Sequence, residues 1–248
     1  MLETGTPGDY FAKIITKSYF CKKKPNMNYS AFEKAFSPAR LSKYNAACGG
    51  NNQNALTLYR HNVKLCQKFY GVLNIFEIVL RNAIDLHYRN HFNDNDWINT
   101  QLQPGGMLES APQNAAVRQT ITGLVHNNKY THDRIVSSVT FGFWTHLFTK
   151  KPFRLGGQSL LQIFPNKDKG LGQKNIYKEL LQIKTFRNKI AHHEAICFDA
   201  AGQKSMVYAQ THYALILKYV GFLGYSKDHL FFGLDVLPDN TMNKITNL

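Results

Sequence analysis

From about Asn54 to His91 apolar side chains recur at spacings of three and four, uninterrupted by proline. Leu58, Leu65, Phe69, Val72, Phe76, Val79, Ala83 and Leu86 make one stripe, and Asn62 fills its single polar slot. This periodicity belongs to an amphipathic helix of unusual length for a globular protein. Flanking positions such as Leu73, Leu80 and Ile84 are apolar as well, which predicts the spine of a bundle rather than an exposed coiled coil. No run of segments alternates with the period of two that a sheet requires, and no internal repeat is visible. The expected fold class is all-α.

The remaining punctuation fits that class. Ser37-Pro38 is a helix start, with a hydroxyl to cap and a proline suited to the first helical position. Gly49-Gly50-Asn51-Asn52 separates the short helices before it from the spine. Further helices are expected over about 115–127, 133–148, 173–195 and 206–223, with loops over 92–116 and 149–172, where glycine and proline cluster. The organisation predicted is a basic arm over 1–28, a helical domain over 29–225 and a C-terminal tail over 226–248.

Chemistry concentrates in Phe186-Arg187-Asn188-Lys189-Ile190-Ala191-His192-His193-Glu194. A permanent guanidinium cation and an imidazole five positions later suit cleavage of a phosphodiester, in which phosphate charge is neutralised while protons move near neutral pH. The same residues also read as a capped helix end whose histidines meet only water. In that helix Ile176, Leu180, Ile183, Ile190 and Cys197 follow the spacing of a buried stripe, and Arg187 and Glu194 occupy its polar positions. Charges on an inward face require partners or a wet pocket. On an ideal helix Arg187 and His192 project about 140° apart. Either the helix loosens at His192 or a second copy completes the site; an isologous dimer beside this helix is the arrangement expected.

The spine carries an echo, Glu77 through His87, in which Arg81-Asn82 repeats the dipeptide Arg187-Asn188. Glu77, Arg81 and Asn82 are expected to support the site, with Glu77 holding Arg187 or Arg81 holding Glu194.

The formal charge of +14 attracts polyanions, RNA or DNA before an anionic membrane. Lys22, Lys23, Lys24 and Lys189 are the candidate RNA contacts, although a lysine run is also what a solvated arm looks like. Cys21, Cys48, Cys66 and Cys197 are scattered, so neither a zinc knuckle nor a disulfide framework is suggested. The N-terminus does not read as a signal peptide. The most apolar run, 71–80, is too short and too polar to span a bilayer. A cytoplasmic protein needing no metal or cofactor is expected.

Five strings in order resemble the Abi-like (abortive infection) family, specifically its AbiF/AbiD-type members, within the HEPN superfamily. They are 36–41 (FSPARL), 55–59 (ALTLY), Glu77 through Asn82, 141–144 (FGFW) and 187–194 (RNKIAHHE), covering roughly residues 28–198. The resemblance implies a HEPN-like helical bundle that dimerises beside the Arg-x4-6-His motif. It implies a metal-independent endoribonuclease of a bacterial phage-defence or toxin–antitoxin system. Arg187 and His192 would be catalytic, with Asn188, His193 and Glu194 in support. A small non-coding RNA as bound partner is implied too, and the alternative is a non-catalytic protein that holds such an RNA. The chain departs from the family in having Ala195 where a proline usually follows the motif.

Overall fold

The computed structural model describes residues 28–109, 114–234 and 238–248. It is all-α, and among the described residues there is no strand, only an isolated bridge between Phe198 and Lys204. The chain divides into two compact units, Met1–Leu56 and Thr57–Leu248, with the boundary inside the long helix.

In the first unit α1 spans Tyr29–Phe36 and α2 spans Pro38–Ala47. Asn28 Oδ1 accepts from the Ala31 amide at 2.9 Å, and Ser37 Oγ from the Arg40 amide at 3.4 Å, with Pro38 in the first turn as the sequence predicts. The spine, α3, runs Asn52–Phe92. Asn51 opens it, its Oδ1 accepting from the amides of Gln53 and Asn54 at 3.1 and 3.0 Å.

In the second unit the buried face of α3 follows the expected stripe through Leu65, Phe69, Val72 and Phe76, then departs from it. Leu80, Ile84 and Tyr88 are fully buried, whereas Leu86 is 61% exposed. Steps of four advance about 40° around a helix beyond a full turn, so the buried face winds as it descends. Its partners change accordingly. Phe69 meets Phe186 edge-on at 4.9 Å and Phe76 meets Phe141 at 6.2 Å, while Tyr88 packs on Trp97 at 4.8 Å.

The shorter helices are α4 (Trp97–Gln101), α5 (Asn114–His126), α6 (His132–Ser138), α7 (Phe141–His146), α8 (Lys150–Leu155), α9 (Gln173–Ala191), α10 (Val207–Phe222), α11 (Lys227–Leu230) and α12 (Asp239–Thr246). A 3₁₀ turn spans Leu160–Ile163. The single helix expected over 133–148 is broken. Val139 and Thr140, both β-branched, are extended with ψ of 146° and 159°, which ends α6 and re-aims α7. The loops expected over 92–116 and 149–172 contain α4 and α8. The tail is packed, for Met242 and Ile245 of α12 are buried. Around α9 lie α7, α8 and α10.

Asn62, the polar slot of the spine, is 3% exposed and its Oδ1 accepts from the backbone amide of Ile196 at 3.0 Å. Ile196 is buried, so its amide has no water to turn to. Asn62→Ala is expected to cost about 1–3 kcal/mol, the range for stranding a buried donor. Urea denaturation would measure it, and amide exchange at Ile196 should accelerate in parallel.

Candidate functional site

The motif helix α9 buries Ile176, Leu180, Ile183, Phe186 and Ile190. Phe186, rather than Arg187, therefore continues the inward stripe, stacked on His212 at 4.7 Å. Arg187 and Glu194, expected on that stripe, keep side-chain exposures of 40% and 51%. The correction has a simple cause: a stripe stepping 176, 180, 183, 186/187, 190 has two candidates at its fourth place, and the ring desolvates at far lower cost than the guanidinium.

The helix stops earlier than expected. His192 is its cap, with φ −88° and ψ 10°, and His193 is left-handed at φ 57°. The Glu194 amide donates to Lys189 O at 2.9 Å and the His193 amide to Ile190 O at 3.0 Å. These two bonds make a Schellman motif with histidine where glycine is usual. Beyond it, Asn62 holds Ile196, and the Cys66 thiol lies 4.0 Å from Glu194 O. Burial pushes that thiol up to about 11, so it is not a ready nucleophile.

Glu77 Oε2 lies 3.9 Å from Arg187 Nε, the brace expected from the spine. Burial raises the Glu77 carboxyl, against the opposing pull of Arg187 and Arg81. The alternative brace, Arg81 to Glu194, does not form. Glu194 instead lies 3.4 Å from Lys189 Nζ, and that ammonium sits 5.3 Å from the centre of the Tyr208 ring. Lys189 is thus tied locally as well as half-exposed. Lys22, Lys23 and Lys24 lie outside the described residues.

Two cavities take in the two Arg-Asn dipeptides. Arg187 and Asn188 line one of about 470 Å³, together with Lys184 from their own helix and Thr140, Gly142 and His146 from around α7. Arg81 and Asn82 line another of about 330 Å³, beside Asp85, Arg89 and Asp133. In the second, Asp85 accepts from Trp97 Nε1 at 2.8 Å, with His132 Nε2 at 2.7 Å and Arg89 Nε at 2.8 Å. Burial raises the Asp85 carboxyl, but hydrogen bonds from His132 and Trp97 and the charges of His132 and Arg89 outweigh it and hold it below its ordinary value. The Asp85 carboxylate is thus fully engaged, while Arg81 Nε and Arg89 Nε are buried without a hydrogen-bond partner, the latter meeting Asp85 as an ion pair only. His87, the imidazole of the echo, lies 3.0 Å from Ser159 Oγ.

His192, His193 and Glu194 line neither cavity; they stand exposed on the cap. Within one chain the motif is therefore divided, its Arg-Asn half walling a cavity and its His-His-Glu half facing outward. The imidazole that shares the cavity with Arg187 is His146, which sequence reasoning missed along with Lys184. Lys184 stands three residues before Arg187, a spacing that puts two cations on adjoining faces and would have been sufficient to find it. His146 had no such signal, because its position depends on the break at Val139-Thr140.

Among the described residues no group of three or more His, Cys, Asp or Glu side chains is placed to hold a metal ion. No helix among them is long and apolar enough to cross a membrane. No family model matches the chain, and no curated protein or solved structure is significantly similar to it.

Two outcomes follow from this geometry. His193→Gly should raise stability by about 1 kcal/mol by removing the left-handed strain of a β-carbon; a lower thermal midpoint would show that the imidazole's own contacts matter more. For Glu77, the native state holds its proton at pH values where the unfolded chain has already lost it. Stability therefore falls as pH rises from the ordinary carboxyl range through the raised native value. Glu77→Gln should accordingly gain stability relative to the parent between pH 4 and pH 7 in paired denaturation curves.

Proposed function

We infer that the chain is a HEPN-type, metal-independent endoribonuclease, of the Abi-like kind that serves bacterial phage defence or a toxin–antitoxin pair, and that it works as a cytoplasmic homodimer. The observation that carries this reading is the meeting of three of the five resembling strings at one place. Arg187 and Asn188 wall the same cavity as Phe141, Gly142 and Phe143, and Glu77 reaches Arg187 from the spine. A +14 chain supplies the long-range attraction for RNA.

In this mechanism Arg187 neutralises the scissile phosphate and the charge that grows on the pentavalent transition state. One His192 takes the proton from the ribose 2′-hydroxyl as its oxygen attacks phosphorus. The other, from the second protomer, gives a proton to the departing 5′-oxygen. The products are a 2′,3′-cyclic phosphate and a 5′-hydroxyl. The outward position of His192 supports a site completed between two copies. Asn188 orients the phosphate, and the Schellman turn at His193 fixes the direction in which His192 leaves the helix. A small non-coding RNA is the proposed standing partner.

One observation favours a second reading, binding of a structured RNA without cleavage: His192 lines neither cavity of the single chain. The two are separated by incubating purified protein with RNA in EDTA. Arg187→Ala and His192→Ala are each expected to slow cleavage by about 10²–10⁴, the range for losing a general acid–base or charge-stabilising group. A 2′-deoxy nucleotide at the cut site should block it. Mixing parent with excess His192→Ala protein should depress the parent's activity, because a heterodimer carries a single His192 and lacks either the base or the acid. Tight RNA binding with no product, indifferent to His192→Ala, establishes the second reading instead.

A further inference from the structure

The larger cavity has a polarity that the nuclease reading does not use. Along α9 its wall is formed by Tyr177, Leu181, Lys184, Arg187 and Asn188, about 16 Å of helix axis that grades from aromatic and aliphatic to cationic. No aspartate or glutamate lines it. Arg187 has Glu77 at 3.9 Å, but no carboxylate among the described residues lies within ion-pair reach of Lys184.

The opposite wall comes close to that ammonium. A β-carbon on Gly142 would lie 3.4 Å from each of Lys184 Cε, Lys184 Nζ and Thr140 Oγ1. The absent side chain thus leaves the lysine head and the threonine hydroxyl against bare backbone. His146 borders the same space, with Nε2 shut off from solvent and lacking a hydrogen-bond partner in the chain, and Nδ1 3.4 Å from Thr149 Oγ1. Burial, and then the Lys184 charge, lower its pKa below the usual imidazole value. It therefore adds a neutral ring to the wall and no third cation. The volume of about 470 Å³ is within the range of small-ligand sites.

We propose that this cavity seats one nucleotide of a bound RNA strand, its phosphate between Lys184 and Arg187 and its base along Tyr177 and Leu181. The assignment rests on the RNA-directed reading above and adds a positioning subsite to it: the phosphate held between Lys184 and Arg187 is the scissile one, and the subsite offers it to His192. Two unpaired-to-weakly-paired cations specify the phosphate. The adjoining aromatic and aliphatic wall specifies a planar, apolar-faced group attached to it.

The test uses the full-length His192→Ala protein, so that binding is read without cleavage, titrated calorimetrically with 5′-AMP, 5′-UMP and inorganic phosphate. Saturable nucleotide binding is expected. Lys184→Gln should weaken nucleotide and phosphate alike by about tenfold, a lost charge-assisted contact. Tyr177→Ala should weaken only the nucleotides, again by about tenfold, as a lost stacking surface does. Far-UV circular dichroism verifies that each variant is folded. An oligoribonucleotide should displace the bound mononucleotide; failure to displace it overturns the strand assignment in favour of a free nucleotide. Nucleotide affinity unchanged by both Lys184→Gln and Tyr177→Ala overturns the subsite, even if the parent protein cleaves RNA. Binding lost in those variants while the parent cleaves nothing leaves the subsite standing and removes the nuclease reading.

Discussion

A buried amide–amide hydrogen bond ties the two halves of this chain's chemistry together. Asn62 comes from the third turn of the spine, where its neighbours Leu58 and Leu65 on the inward face are aliphatic, and it accepts from an amide 134 residues away. Apolar side chains at that place would pack, but they would leave the Ile196 amide stranded where the chain turns back after α9. A polar slot in an otherwise greasy stripe therefore fixes a point on another segment. Below that point the chain follows the Phe198–Lys204 bridge into α10; above it stand the cap and the motif. The end of α9 is located by the spine, and the orientation of His192 follows from where α9 ends.

The distribution of charge follows from the same scaffold. In the smaller cavity Arg89 is held by Asp85 and Asp133, both at 2.8 Å, and His132 by Asp85 at 2.7 Å, so that the ionic groups neutralise one another. In the larger cavity the cations outnumber their partners. A long contact of 3.9 Å to a half-exposed arginine is worth little in water. It leaves most of the guanidinium's donors available to an incoming anion. The first Arg-Asn dipeptide shares its cavity with Asp85 and Asp133, although Arg81 Nε itself is buried without a hydrogen-bond partner, and the second lines a cavity with no carboxylate in its wall. The lack of carboxylates is what makes the larger cavity the better suited of the two to an anion.

Much of the architecture was legible because it rests on local rules. Three-four spacing sustained from about Asn54 to His91 could only be a long helix, and Ser37-Pro38 marks a helix start by its own chemistry. Legibility failed where the deciding partner is remote. The stripe past Phe76 passes to Leu80, Ile84 and Tyr88 because Trp97 and the α3–α4 turn lie there, and periodicity alone could not choose them over Val79, Ala83 and Leu86. The choice of Phe186 over Arg187 as the inward residue likewise depends on the rings of Phe69 and His212. The Glu77–Arg187 pairing was readable in outline, since opposite charges on two adjacent amphipathic helices have few other places to go. His146 was not, because nothing near it in sequence announces that two extended residues will turn α7 toward α9.

The divided motif constrains any phosphodiester chemistry performed here. Arg187 looks into a walled space and His192 looks out from a rigid turn, with two Schellman hydrogen bonds and the Asn62 anchor opposing rearrangement between them. Bringing both groups to one phosphorus within a single chain would mean unwinding that cap and stranding buried donors. Docking a second copy against the exposed cap requires no such loss, since it joins surfaces that are already formed. On energetic grounds a dimer would be the lower-cost way to complete such a site, and under the proposed reading the cavity beside it would hold the strand in register while two cap residues close on its backbone.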